Sequence, residues 1–488
     1  MLNNHFENLE SRRLMSTTLL PNGELRIDGT DRVDNVLITQ SGGNLFVREN
    51  GRSRTFDVSN VSKIVVDSKT GNDIIKAAQS VTRRMIVRAG RGDDTVTGGS
   101  RADAIFGGPG RDVLRGGGGN DRVWGQNDDD WLEGNAYNDS LYAGRGDDTL
   151  LGGSGNDVLV SVGGGVRDAL DGGSGIDNFW CDVNPTETVT DTEAPGVSSR
   201  GLHRIPEFLE SVSQEPDGQD LPDPKLNSPQ SAYRNFRDVP LFGPDGPQES
   251  DVRQGAADSS FLLSPLAALA KAHPSFLRNR ITDLGDGTFA VHFIRNPVTS
   301  VYVRVDADLA QSIYEPSKLS NAALGASGSA WVAVIEKAAC VFLGSGAPDY
   351  SVLSSSEIGA NGGFEMLGAG SSPITASSPS GALRETRAAI LRGQLPTWSF
   401  ANQLGGMPPG HVWQVQDVKT IPVWIPTGGG PLGTGGYFRH IPVSVTLRNP
   451  RGYDALGEDS NPADGIVTLT SEQITKLGQP TMIGGWSD

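Results

Sequence analysis

Apolar residues follow a succession of different rhythms along this chain. Between 17 and 88 they alternate with polar residues in short runs, such as Asn44-Leu-Phe-Val-Arg48 and Lys63-Ile-Val-Val-Asp67. The turn pairs Gly42-Gly43 and Asn50-Gly51 separate such runs, so this stretch is predicted to be a β-rich lead-in. Between 89 and 180 one apolar residue recurs every nine positions: Val96, Ile105, Leu114, Val123, Leu132, Leu141, Leu150 and Leu159. After a two-residue insertion the rhythm resumes at Leu170 and Phe179. One inward side chain per short strand predicts a thin, stacked core. Residues 181–235 have few periodic apolar positions and carry clusters such as Asn184-Pro-Thr-Glu187, which predicts a linker with one short helix near 206–212. From 236 to 488 the pattern becomes that of a mixed globular domain.

The nine-residue period also carries chemistry. Units start at Ala89, Gly98, Gly107, Gly116, Gly125, Gly134, Ala143 and Gly152, and then at Gly163 and Gly172. The sixth position is aspartate throughout: Asp94, Asp103, Asp112, Asp121, Asp130, Asp139, Asp148, Asp157, Asp168 and Asp177. Glycines permit tight turns, and turn carbonyls with carboxylates form a hard oxygen set suited to Ca²⁺. The best copies, Gly107-Gly-Pro-Gly-Arg-Asp-Val-Leu-Arg115 and Gly152-Gly-Ser-Gly-Asn-Asp-Val-Leu-Val160, resemble the RTX (hemolysin-type) calcium-binding nonapeptide repeat. The resemblance implies a parallel β-roll over 89–180 that needs its metal to fold. Two copies, Gly98-Gly-Ser-Arg-Ala-Asp103 and Gly134-Asn-Ala-Tyr-Asn-Asp139, lack a glycine and are expected to bind poorly. Gly71-Asn-Asp-Ile-Ile75 reads as a degenerate first repeat.

Composition sharpens this picture. The 488 residues include 64 glycines and 29 prolines, only 36% are hydrophobic, and the formal net charge is −17. That charge argues against a nucleic-acid or anionic-membrane partner and suits bound cations. Two cysteines, Cys181 and Cys340, fall in different predicted domains and read as thiols. No run of 18 apolar residues offers a transmembrane segment. Within residues 1–16, Phe6-Glu-Asn-Leu-Glu-Ser-Arg-Arg-Leu-Met15 resembles a leader motif of large exported planctomycete proteins, with Ser11 where that motif has proline. The resemblance implies an extracellular or cell-surface protein.

Residues 236–488 resemble the calpain family of cysteine proteases. Gln254-Gly-Ala-Ala-Asp-Ser-Ser-Phe-Leu-Leu263 aligns with that family's nucleophile segment, followed by a small-residue helix at Leu266-Ala-Ala-Leu-Ala270. Leu284-Gly-Asp-Gly-Thr-Phe-Ala-Val-His-Phe293 and Val301-Tyr-Val-Arg-Val-Asp306 are similar to family strands, and Trp331-Val-Ala-Val-Ile-Glu-Lys-Ala338 to a family helix. Gly410-His-Val-Trp-Gln-Val415 and Val445-Thr-Leu-Arg-Asn-Pro450 match the segments holding the base and its orienting residue. The resemblance implies a papain-like, two-lobed α+β domain with Ser260 at the nucleophile position, His411 as base, Asn449 as orienter and Gln254 as oxyanion donor. Such a site acts on a peptide or protein.

The departures from that family bear on activity. Ser260 replaces the cysteine, and a hydroxyl titrates far above a thiol, so no resting ion pair with an imidazole forms. The family's Gly-Asp is Asp258-Ser259, its tryptophan after Asn-Pro is Arg451, and Pro265 falls inside the expected helix, where it is predicted to kink the turn. Cys340 reads as buried packing rather than a substitute nucleophile. The resulting expectation is an exported calcium-binding protein with a catalytically impaired calpain-like domain that keeps a peptide cleft. The alternatives are an active endopeptidase using Ser260, His411 and Asn449, and a structural or adhesive surface protein.

Overall fold

The computed structural model describes residues 15–164, 167–183, 188–190, 201–209, 221, 223–226, 231–253, 259–296, 299–312, 328–344, 349–354, 362–369, 371–392, 394–399, 412–426, 436–448, 466–477 and 480–485. The chain divides into two compact units, Met1–Pro206 and Glu207–Asp488.

The first unit is a β-solenoid made of two ten-stranded sheets. Successive strands alternate between the sheets, so each coil spends two nonapeptides and pairs in parallel with the coil 18 residues on. Ile105 lies beside Val123 in one sheet, and Leu114 beside Leu132 in the other. The eighth-position residues point inward and are fully buried in one continuous core. A single apolar side chain per strand suffices because each is covered by its copies above and below. The two-residue insertion is absorbed in a turn, and Leu150 pairs with Leu170 in unbroken register.

The roll is longer than the repeat pattern at both ends. Upstream, Leu25 pairs with Ile64 and Ile64 with Met85, so the lead-in belongs to the same stack. Its strands Asn35–Ser41, Asn44–Glu49 and Arg52–Asp57 form an antiparallel margin to one sheet. Downstream, Ala169–Ser174 pairs with Thr188–Thr190, and Asn178–Asp182 with Leu202–Ile205. The linker expected over 181–235 therefore supplies roll strands instead. Its later part, Ser231–Asn235, pairs with Asp308–Ser312 in the second unit. The helix expected near 206–212 is also absent from the described residues there. Phe208–Leu209 instead adds a short parallel edge beside Tyr302 and Val303.

The second unit contains six α-helices among its described residues: α1 (Ser260–Ala272), α2 (Pro274–Arg278), α3 (Trp331–Leu343), α4 (Gly362–Met366), α5 (Pro379–Leu391) and α6 (Ser471–Leu477). It has two hydrophobic cores. One gathers α1 and α3 against the antiparallel strands Thr288–Arg295 and Thr299–Asp306. The other packs α5 and α6 on a six-stranded sheet whose longest members are Val412–Pro426 and Gly436–Arg448. Val412 begins its strand in that sheet yet is buried in the first core, so the two cores meet there.

Helices α1 and α3 are apolar on nearly every face and are buried on nearly every face, as such a pattern demands. Helix α1 runs on through Pro265 to Ala272. A proline leaves the carbonyl four residues back without its helical N–H. Here that carbonyl, Phe261 O, is packed closely by α4: a Cβ on Gly363 would lie only 2.3 Å from it.

Candidate calcium turns and a candidate active site

Each coil of the roll makes two turns, one on either edge. Turns ending at Asp94, Asp112, Asp130, Asp148 and Asp168 share the first edge, and those ending at Asp103, Asp121, Asp139, Asp157 and Asp177 the second. These aspartates are only 1–5% exposed. One carboxylate oxygen holds neighbouring coils together, since Oδ1 accepts the backbone N–H of the aspartate one coil earlier. Asp94 N donates to Asp112 Oδ1 at 2.8 Å, Asp112 to Asp130 at 2.8 Å and Asp130 to Asp148 at 2.7 Å. On the second edge Asp103, Asp121 and Asp139 donate to Asp121, Asp139 and Asp157, each at 2.7 Å. This ladder is why the sixth position never varies.

The other oxygen makes no such bond. Oδ2 of Asp94, Asp112, Asp121, Asp130, Asp139, Asp148 and Asp157 is buried without a hydrogen-bond partner. It lies against the repeat's first glycine, where a Cβ on Gly107 would sit 2.2 Å from Asp112 Oδ2 and one on Gly125 2.4 Å from Asp130 Oδ2. Carbonyls at positions two and four of each turn point along the stack toward the next coil. Gly90 O would meet a Cβ on Gly108 at 1.8 Å, and Gly92 O one on Gly110 at 2.2 Å. Burial pushes the carboxyls of Asp112, Asp148 and Asp157 up to about 7, those of Asp121 and Asp130 to about 8 and that of Asp139 to about 9, against the backbone N–H bonds that favour ionisation. A buried carboxylate with one idle oxygen and a carbonyl of the next coil close by lacks positive charge. Among the described residues no three His, Cys, Asp or Glu side chains converge as a metal site. Carbonyls must therefore supply much of any ion's shell, which fits a hard cation such as Ca²⁺.

The two weak copies differ. In the turn 98–103, Gly99 N donates to Asp103 Oδ2 at 2.7 Å, so the protein itself occupies the oxygen that elsewhere stays idle. Neither Gly99 nor Arg101 takes the left-handed conformation seen at positions two and four of other turns. The turn 134–139 keeps it, with Asn135 at φ 77° and Tyr137 at φ 81°, and leaves Asp139 Oδ2 idle. Only the first weak copy is thus closed to a cation. Two rungs outside the nonapeptides also join the ladder: Asp73 N donates to Asp94 Oδ1 at 2.6 Å, and Asp34 N to Asp73 Oδ1 at 2.7 Å. Spacings of 21 and 39 residues hid them from a search at period nine. Asp34 ends the ladder and is satisfied by protein, accepting from Thr30 N at 2.6 Å and Asn50 Nδ2 at 2.7 Å, while the Lys69 ammonium donates to Gly29 O beside it.

The second candidate site is built at the start of α1. Gln254, His411 and Asn449 lie outside the described residues, as do Asp258, Arg451 and the leader motif at 6–14. Their chain neighbours are described. Ser260 is buried in the first turn of α1, and its Oγ accepts the N–H of Val412, the residue after His411, at 3.2 Å. One turn later Ser264 Oγ donates to Val412 O at 2.7 Å. Arg448, the residue before Asn449, donates Nη2 to Val252 O at 2.9 Å, two residues before Gln254. Segments far apart in sequence thus converge on one end of α1.

Helix α3 braces this end with polar groups that its burial would otherwise penalise. Glu336 accepts from Ser259 Oγ, which accordingly makes no side-chain cap on α1. Trp331 Nε1 donates to Asp251 Oδ2 at 3.0 Å. Lys337, 1% exposed, pairs with Asp306 at 2.6 Å and with Asp223. Sequence reasoning alone does not single out Ser264, Glu336 and Lys337 for the site. The spacing of Ser264 one helical turn after Ser260 is the signal that could have found the first of them. Cys340 is fully buried, and burial raises its thiol pKa, which makes it a poor nucleophile.

Among the described residues no helix is long and apolar enough to cross a membrane. Comparison with curated proteins finds no match. Residues 88–123 and 124–159 match the RTX calcium-binding nonapeptide repeat (4 copies) family, whose repeats bind Ca²⁺; most of the matched turns carry an idle carboxylate oxygen, and this is a calcium-binding protein.

Proposed function

We propose that residues 207–488 form a calpain-like, papain-type domain that holds a peptide or protein in its cleft but has lost most hydrolytic power, within an exported protein whose roll is stabilised by calcium. In this reading Ser260 stands at the nucleophile position, with His411 as base, Asn449 as orienter and Gln254 as oxyanion donor. The observation that carries it is the double grip on Val412 by Ser260 and Ser264. It puts the chain next to His411 beside the helix start that bears Ser260, as a nucleophile and its base require. The same grip occupies the serine hydroxyl with a backbone N–H and favours lost activity. The two cores meeting at Val412 support a two-lobed architecture. Export is supported by the leader resemblance and by the RTX repeats, whose carriers are typically secreted. The sixth-position aspartates are the calcium ligands in this reading, except Asp103, whose Oδ2 the Gly99 N–H already occupies.

Peptidase activity in calcium tests this, comparing the chain with Ser260→Cys and Ser260→Ala. No turnover by the natural chain, with recovery in Ser260→Cys, is the expected outcome. Turnover by the natural chain that disappears in Ser260→Ala would establish a serine endopeptidase instead. Silence in all three, with no peptide bound, would favour a structural or adhesive role.

A further inference from the structure

The turns of the roll are not equivalent, and two neighbours on the first edge stand apart. At 126–130 the chain reads Gln126-Asn-Asp-Asp-Asp130, and at 144–148 Gly144-Arg-Gly-Asp-Asp148. Beyond the ladder residues Asp130 and Asp148, this pair carries Asp128, Asp129 and Asp147, offset by Arg145 within it and by Arg167, which pairs with Asp147. Asp129 Oδ1 accepts Asp147 N at 3.0 Å, which ties the two turns together. On the second edge the same fifth-position bond is made by neutral asparagines: Asn138 N to Asn120 Oδ1 at 3.2 Å, and Asn156 N to Asn138 Oδ1 at 2.8 Å. Shape and hydrogen bonding are thus matched between the edges while the charge differs. Elsewhere on the first edge the fifth position is Asp93, whose Oδ1 accepts Arg111 N at 2.9 Å, then Arg111 itself, and Arg167, which pairs with Asp147 at 2.6 Å. The idle, buried Oδ2 atoms of Asp130 and Asp148, on residues 4% and 1% exposed, show that this pair has oxygen to offer. Asp128 also holds φ 72°, at a position where Gly92, Gly110, Gly119, Gly146 and Gly155 sit in other turns. A carboxylate is kept there although glycine suits the backbone better.

We infer that turns 126–130 and 144–148 together form the tightest calcium site of the roll, filled before those of the asparagine edge. A divalent ion is attracted by every nearby carboxylate, including those that do not ligate it. This inference rests on the calcium reading of the repeats and ranks their sites.

Calcium titration of the full chain by calorimetry tests the ranking, beside Asp129→Asn with Asp147→Asn, and separately Asn138→Asp. Each exchange preserves the Oδ1 acceptor. Two affinity classes are expected, with the tight one weakened at least about tenfold in the double variant and the weak one unmoved. Asn138→Asp, which leaves the first edge intact, is expected to tighten part of the weak class by about the same factor. A single class, or a tight class untouched by the double exchange, would overturn the ranking. No calcium uptake by any chain would overturn the reading beneath it.

Discussion

The two units bury charge in opposite ways. In the second, buried ionic groups meet protein partners: Lys337 has Asp306 and Asp223, Glu336 has Ser259, and Asp251 has Trp331. In the roll, aspartates as deeply buried, Asp112 and Asp130 among them, are left with an idle oxygen. One unit carries its counter-charges within the chain, and the other takes them from solution. The lesson is that burial of a carboxylate says little until its second oxygen is accounted for.

Removing calcium should break this comparison most visibly. In excess chelator the roll is expected to lose its melting transition at physiological temperature, while residues 207–488 keep a cooperative transition of their own. Calorimetry with and without chelator would show this, and a roll transition indifferent to calcium would refute it. Next in size is Lys337→Ala, which strands Asp306 and should destabilise the second unit by ~3–5 kcal/mol, with the calcium dependence of the roll unchanged. Denaturant unfolding of the variant in calcium reads both effects.

The smallest effect is one of pH. Without calcium, burial lifts the carboxyls of Asp94, Asp112, Asp121, Asp130, Asp139, Asp148 and Asp157 to between about 6 and about 9 in the fold, above the ordinary 3.8. A pKa raised by folding means that the folded state holds its proton more tightly. The associated stability is therefore complete below pH ~4 and is lost as pH rises toward 9. The melting temperature of the calcium-free roll should fall across that range. In saturating calcium the trend should reverse, because protons compete with the ion for the same oxygens. Identical slopes with and without calcium would contradict the assignment.

How much of this was legible depended on whether a physical constraint acts at constant spacing. Asp112 and Leu114 recur because every coil needs the same hydrogen bond and the same inward side chain. Asp34 and Asp73 do the same work, but longer turns put them out of phase. The strands at Thr188–Thr190 and Leu202–Ile205 were hidden because a three- or four-residue strand joining a finished stack needs little periodicity of its own. In the second unit, α1 and α3 were readable from their motifs. The partners of Glu336 and Lys337 were not, since a contact between residues 77 or 114 positions apart leaves no local trace. Ser260 was legible as a departure from a family pattern, whereas its grip on Val412 needed three dimensions.

The cation-free closure at Asp34 gives the stack a direction. An array of like coils behaves as a one-dimensional chain, in which interior members lean on two neighbours and terminal ones on one. Thr30, Asn50 and Lys69 finish the first coil from within, so it offers the next a completed template before any ion arrives. Ordering can begin at that end without calcium, whereas the coils that hold idle oxygens wait for their ion.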